Sequence, residues 1–430
     1  MFDLKRRFFD CINSIRCIHL NWIAVVKYLL KWTPFSILVG ISVGLIASLF
    51  DYLLVVINGF ITSNTYILHI FPFFVAVLTG IAISKDSKAG GPGIGYVLNN
   101  INEKIGIKTF LNKFVLSLFA LSGVFIAGRE GPSFFMGSSV SSFLARWFKI
   151  DEEFRDYVVL IGAGAFTSAL LKAPLGGALF ALEIRYVSDM DYKPFPQVIM
   201  ASVFSYMVFS YFRGIRPFIE LSSSVSWSFS LLPYLMLLGI IISIFVYIFV
   251  TTYSLANCFA NYIKPLYKPL VGVLLALPLI YVMFNHDGYR MLSVSVNYEA
   301  LNSIVQTHMH ISNIALNIAI VISLISLTIG FGISGGLILP NLILGALLGN
   351  AVGLLFPHYL IIFTMSGMAA MLAASAKTPI AAIALILEIS SSDLVIPITF
   401  AVIVSYIFTY GINIYTSQKV CRIDTHGKVY

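Results

Sequence analysis

The sequence predicts an all-α polytopic membrane protein, and three observations carry that prediction. Of its 430 residues, 59% are hydrophobic and only 11% charged, where a soluble domain carries roughly a quarter charged residues. Its 35 Phe and 22 Tyr, with a mean hydropathy of +0.92, exceed what one soluble core can bury. Apolar runs recur almost to the end, and several are too short or too interrupted by Gly and Pro to cross a bilayer alone. Helices that stop at the membrane midplane give this pattern. Disordered chains, nucleic-acid-binding folds and disulfide scaffolds fit none of this. The alternation of a membrane barrel is missing as well.

In chain order, residues 1–32 mix Lys5, Arg6, Arg7 and Arg16 with Phe, Ile and Trp. No unbroken apolar stretch with a small-residue cleavage site is present, so this segment reads as an amphipathic helix on the cytoplasmic face, not a signal peptide. Apolar runs follow at 33–60, 67–83, 110–127, 133–148, 158–184 and 196–213. A second series covers 228–256, 267–284, 313–333, 337–356, 359–389 and 394–415. About 20 apolar residues are needed for one crossing. Lys85, Lys88, Lys104, Lys108 and Lys113 cluster after the second run, and Lys419, Arg422 and Lys428 follow the last. The net charge of +8 is therefore read as topology, with that loop and both termini in the cytoplasm. The four cysteines (Cys11, Cys17, Cys258, Cys421) show no metal or redox spacing; Cys11 and Cys17 could at most be lipidation sites.

The chain repeats itself. Residues Gly162–Ile184 align without gaps to Gly367–Ile389, matching Lys172 with Lys377, Pro174 with Pro379 and the closing Leu-Glu-Ile. At the same offset Gly131 meets Gly336. Agreement of Lys, Pro and Glu inside apolar sequence predicts two structural repeats with a site at their interface. The expected division is 1–32 as cytoplasmic segment, 33–213 and 214–417 as the repeats, and 418–430 as a short cytoplasmic tail.

Gly128-Arg129-Glu130-Gly131-Pro132 places two charges between apolar runs, where each costs about 3 kcal/mol at mid-membrane. Gly and Pro break the helix there. A helix restarting at that point directs unpaired N–H groups and its positive dipole end into the membrane, an arrangement that binds anions. The bland alternative is an Arg–Glu pair locking two helices. Gly90–Gly95 (Gly-Gly-Pro-Gly-Ile-Gly) and Gly332–Pro340 are two further breaks that could aim helix N-termini at the same point.

These three segments resemble, in order, the GSGIP, GK/REGP and GxFxP signatures of the CLC family of chloride channels and proton/chloride exchangers, across roughly residues 33–417. The resemblance implies a homodimer of two inverted repeats with broken and tilted helices and one pore per subunit, of prokaryotic type and without a soluble regulatory domain. Glu130 falls on the family's gating glutamate. The N–H groups of Arg129, Glu130 and Gly131 are implied for the outer anion site, and those of Leu337 and Ile338, with the hydroxyl of Tyr415, for the central one. Gly91, Pro92 and Gly93 occupy the first signature. Lys113 matches a basic residue near the inner vestibule, where it would concentrate anions.

Departures from the signatures matter. Pro92 stands where the family has serine and offers neither hydroxyl nor N–H; relatives with proline there tend to prefer nitrate. Ile184 stands where many exchangers carry an inner proton-relaying glutamate, and the adjacent Glu183 would point about 100° away on a helix. Its repeat partner Glu388 gives that glutamate an architectural reading as well. His308 and His310 lack further metal ligands, and no enzyme motif is present. The sequence thus predicts a non-enzyme without a cofactor, in a bacterial inner membrane, moving chloride or nitrate and exchanging it for protons. A passive voltage- or pH-gated anion channel is the alternative, and an ion-coupled carrier of an organic solute a remote one.

Overall fold

A computed structural model describes residues 2–101, 103, 105–122, 125–219, 227–286, 299–390 and 394–421. Lys104, Arg422, Lys428 and the side chains of Lys5, Arg6, Arg7, Cys11, Arg16 and Cys17 lie outside the described residues.

Helices dominate because hydrocarbon offers no partner for backbone polar groups. The first half contains α1 (Phe2–Thr62), α2 (Thr65–Lys85), α3 (Ile94–Asn99), α4 (Ile107–Ala120), α5 (Glu130–Trp147), α6 (Arg155–Leu171), α7 (Pro174–Glu183) and α8 (Phe195–Arg213). The second contains α9 (Leu232–Ala260), α10 (Lys268–His286), α11 (Glu299–Gln306), α12 (Ile311–Thr328), α13 (Ile338–Gly353), α14 (Leu360–Ala376), α15 (Pro379–Ser390) and α16 (Val395–Phe408). Among the described residues, seven stretches are long and apolar enough to span a bilayer, so this is an integral multi-pass membrane protein. The segment 1–32 does not end as a separate element: α1 runs on through Pro34 into the first span.

α1 shows how such a helix is used on both faces. Phe35, Val39, Val43, Phe50 and Leu54 are buried, while Leu45, Leu49 and Val56 on the other side remain exposed. Apolar residues all round suit a helix lodged between protein and lipid. Its Gly40 and Gly44 let the backbone approach Ala201 and Ser205 of α8; a Cβ on Gly40 would lie 2.6 Å from the Ala201 carbonyl oxygen. Small residues at such crossings make up for the missing hydrophobic drive between membrane helices.

The two inverted repeats are visible in their breaks. The runs 158–184 and 359–389 each fold as two helices. α6 ends at Lys172 (φ 52°) and α14 at Lys377 (φ 57°), both left-handed. Pro174 and Pro379 then open α7 and α15, where proline's missing N–H costs nothing. The Lys-x-Pro match between the repeats is thus a left-handed stop followed by a proline start. Run 110–127 also breaks, since α4 stops at Ala120 and the next helix opens only at Glu130.

Candidate anion site at the repeat interface

The three glycine-rich breaks converge. Gly128 and Gly336 exchange backbone hydrogen bonds, Gly128 N–H to Gly336 O at 2.8 Å and Gly336 N–H to Gly128 O at 2.6 Å. Gly91 N–H donates to Gly332 O at 3.0 Å, and the hydroxyls of Ser117 and Ser334 meet at 2.8 Å. Packing is tight enough to forbid side chains: a Cβ on Gly131 would lie 2.8 Å from Gly336 Cα. Gly93, at φ +85°, holds a left-handed conformation that L side chains rarely adopt.

From this knot three helices depart. α3 starts after Gly93, α5 after Arg129 and α13 after Leu337, and none has a side-chain cap. Arg129, Glu130, Gly131, Leu337 and Ile338 are all buried. The N–H groups of a first helical turn have no intrahelical acceptor, so buried and uncapped starts call for an external one. Pro132 and Pro340 each remove one donor from their turn. Glu130, fully buried, opens α5 with its Oε2 3.1 Å from the point where Gly336 would carry a Cβ.

Arg129 points its guanidinium elsewhere. Nη1 donates to Asp51 of α1 at 2.5 Å, and the second oxygen of Asp51 accepts from Arg213 Nε of α8 at 2.5 Å. Two guanidiniums share one carboxylate behind the N-terminus of α5. Sequence reading passed over Asp51 and Arg213. The signal was available: an Asp inside the run 33–60 demands a cationic partner in a membrane.

Tyr415 is buried, and its hydroxyl has no hydrogen-bond partner among the described residues. Its loop is firmly held: Ile414 N–H donates to Ser375 O at 2.9 Å, and Asn413 Nδ2 to Tyr415 O at 3.1 Å. Gln418 Nε2 bridges the carbonyls of Ile184 at 3.0 Å and Ala376 at 2.7 Å. The start of the segment read as a short cytoplasmic tail packs along residues 184–188, with Lys419 N–H on Arg185 O at 3.1 Å. A cavity of about 480 Å³ reaches Tyr415 and is lined by Gly91, Pro92, Gly93, Tyr253 and Gly332 among others.

Lys113 lies behind the wall of this cavity. It is fully buried, and its Nζ donates to Gly91 O at 2.5 Å and Gly90 O at 3.3 Å. The ammonium thereby satisfies two carbonyls of the first glycine loop, while Gly91 N–H bonds Gly332 O across the repeats. Glu183 serves the other repeat: its carboxylate accepts from Ile380 N–H at 3.1 Å and Ala381 N–H at 2.8 Å, at the start of α15. Glu388 mirrors it on Leu175 N–H at 3.0 Å and Gly176 N–H at 2.6 Å, at the start of α7. Each repeat thus caps the other's broken helix, which gives the matching Leu-Glu-Ile motifs a physical reason. Ile184, fully buried, ends α7.

The residues that meet here lie within or beside a sequence span, 82–410, that matches the family described as voltage gated chloride channel. The chain belongs to that family. Its CLC character is also seen in curated relatives. It is 28% identical over 331 residues to the H(+)/Cl(-) exchange transporter ClcA of Yersinia pestis, covering 72% of this chain and 67% of that protein. It is 26% identical over 340 residues to the ClcA of Salmonella typhi, covering 72% and 68%. The CLC fold is shared with a CLC-type fluoride/proton antiporter (TM-score 0.79, 19% identity, 91% of this chain and 98% of that one). A slow cyanobacterial Cl-/H+ antiporter has the same fold (TM-score 0.72, 21% identity, 90% and 96%). The relatives are transporters and not enzymes, and anion transport is the CLC function that this membership carries.

Proposed function

We propose that this protein exchanges small inorganic anions for protons across the membrane through the site at the knot of α3, α5 and α13. Chloride is the default substrate and nitrate its competitor. The observation that carries the reading is three buried helix starts without side-chain caps, together with a Tyr415 hydroxyl that has no hydrogen-bond partner among the described residues. Helix ends offer partial charges only, so they hold an anion without trapping it. Glu130 is the gate: its carboxylate is itself an anion and competes for the N–H groups of α5, leaving when protonated or displaced. Arg129 contributes its backbone, since its side chain is engaged by Asp51. In this reading the protein is a homodimer with both termini cytoplasmic, in a bacterial inner membrane, with the site near the midplane.

Passive anion conduction is the second reading, favoured by the buried aliphatic Ile184 at the position of the inner acid. Purified protein in liposomes, with an anion gradient and controlled potential, separates the two. Uphill proton movement supports exchange, and anion flux without protons supports the channel. Glu130→Gln is expected to keep anion flux and lose coupling; wild-type coupling in that variant refutes Glu130 as the gate.

A further inference from the structure

The long apolar helix α9 carries an anomaly at its C-terminal end. Tyr253, Asn257 and Asn261 follow one another at four-residue spacing, flanked by Ser254 and Cys258. Residues so spaced share one face of a helix. In lipid a polar stripe would be costly, and here all five side chains line the cavity that ends at Tyr415. Tyr253, at the inner end of the stripe, is buried (7% exposed), whereas Asn257 and Asn261 are exposed. Past its outer end stands Lys268, the first residue of α10, whose Nζ donates to Asn261 Oδ1 at 2.9 Å.

Charge is scarce in this vestibule. Among the described residues that line it, Lys268 carries the only formal charge. Lys88, on the nearby loop, is paired with Glu103 at 3.4 Å, and Lys113, though charged, is fully buried behind the Gly90 and Gly91 carbonyls and is not part of the lining. Asn261 fixes the position of Lys268 without neutralising it, because an amide oxygen carries no net charge.

We propose that Lys268, positioned by Asn261, is the anion-recruiting group of the vestibule, from which the polar face of α9 leads small inorganic anions inward to Tyr415. This rests on anion transport through the Tyr415 site but not on proton coupling. A unit charge acting through water over about 7 Å raises the local concentration of a monovalent anion about two- to threefold, and salt removes the effect.

Anion efflux from liposomes holding the full-length protein tests this, with ionic strength set by an impermeant salt. At about 10 mM, where the Debye length is about 30 Å, Lys268→Gln is expected to lower chloride efflux about two- to threefold, with Lys268→Arg close to wild type. The deficit should shrink as ionic strength approaches about 1 M and the Debye length about 3 Å. In a background without Cys11, Cys17, Cys258 and Cys421, Lys268→Cys should be rescued by a cationic thiol reagent and not by a neutral one of equal size. Salt-independent loss in Lys268→Gln, no loss at all, or equal rescue by both reagents would each overturn the proposal. Wild-type protein with no anion flux would remove the reading beneath it as well, so the two failures are distinguishable.

Discussion

Replacing Asp51 with Asn keeps the shape of the side chain and removes the one carboxylate that Arg129 and Arg213 share. The side chains of Arg129 and Asp51 are only 2% and 9% exposed, whereas that of Arg213 is 25% exposed. Breaking a buried pair by removing one partner costs about 3–5 kcal/mol, because the remaining charge has nowhere to go. Arg129, almost wholly buried, cannot rehydrate. Arg213 can rehydrate, so its share falls toward the roughly 0–1 kcal/mol of a surface pair. Asp51→Asn should therefore destabilise by about 3–5 kcal/mol and Arg213→Gln by only about 1 kcal/mol. Denaturant unfolding in detergent, followed by tryptophan fluorescence, measures both; Trp32, buried on α1, is a suitable reporter. Equal losses in the two variants, or a loss under about 1 kcal/mol for Asp51→Asn, would refute the view that Arg129 depends on this carboxylate.

Three further outcomes are expected. Tyr415→Phe should weaken anion binding by about 1.5–3 kcal/mol, roughly 10- to 150-fold by calorimetry. The unliganded protein should be no less stable, because the hydroxyl has no partner there to orphan; unchanged affinity counts against Tyr415 as a ligand. Glu183→Ala and Glu388→Ala should each cost about 1 kcal/mol of stability through a lost helix cap, and a marked inequality would break the mirrored reading of their geometry. Pro92→Ser should move the permeability ratio from nitrate toward chloride, and an unaltered ratio would show that position 92 does not set selectivity.

Much of this architecture was legible in one sequence because membranes make exceptions expensive. Glycine, proline and charge inside apolar runs marked the breaks at 90–95, 128–132 and 332–340. Lys172, Pro174 and Glu183, recurring as Lys377, Pro379 and Glu388, marked the repeat. What stayed hidden was the partner of each exceptional residue. The direction of Arg129 toward Asp51 depends on α1 passing beside α5, which no local pattern encodes. Lys113 was placed near the inner vestibule by resemblance, and only the folded loop shows that its ammonium is held by the Gly90 and Gly91 carbonyls. The polar face of α9 is a four-residue spacing in the sequence that has no meaning without the cavity beside it.

The reciprocal hydrogen bonds between Gly128 and Gly336 constrain how anything can pass. Many carriers alternate by rocking one repeat against the other around a fixed site. Here the repeats are stitched backbone to backbone at the site itself, and a Cβ at Gly131 already has no room beside Gly336. Rocking would tear both bonds and expose their donors and acceptors inside the membrane, where each unmet group costs several kcal/mol. On the proposed reading of Glu130 as the gate, the moving part is smaller than a repeat: a carboxylate swings while the backbone seam between Gly128 and Gly336 stays closed.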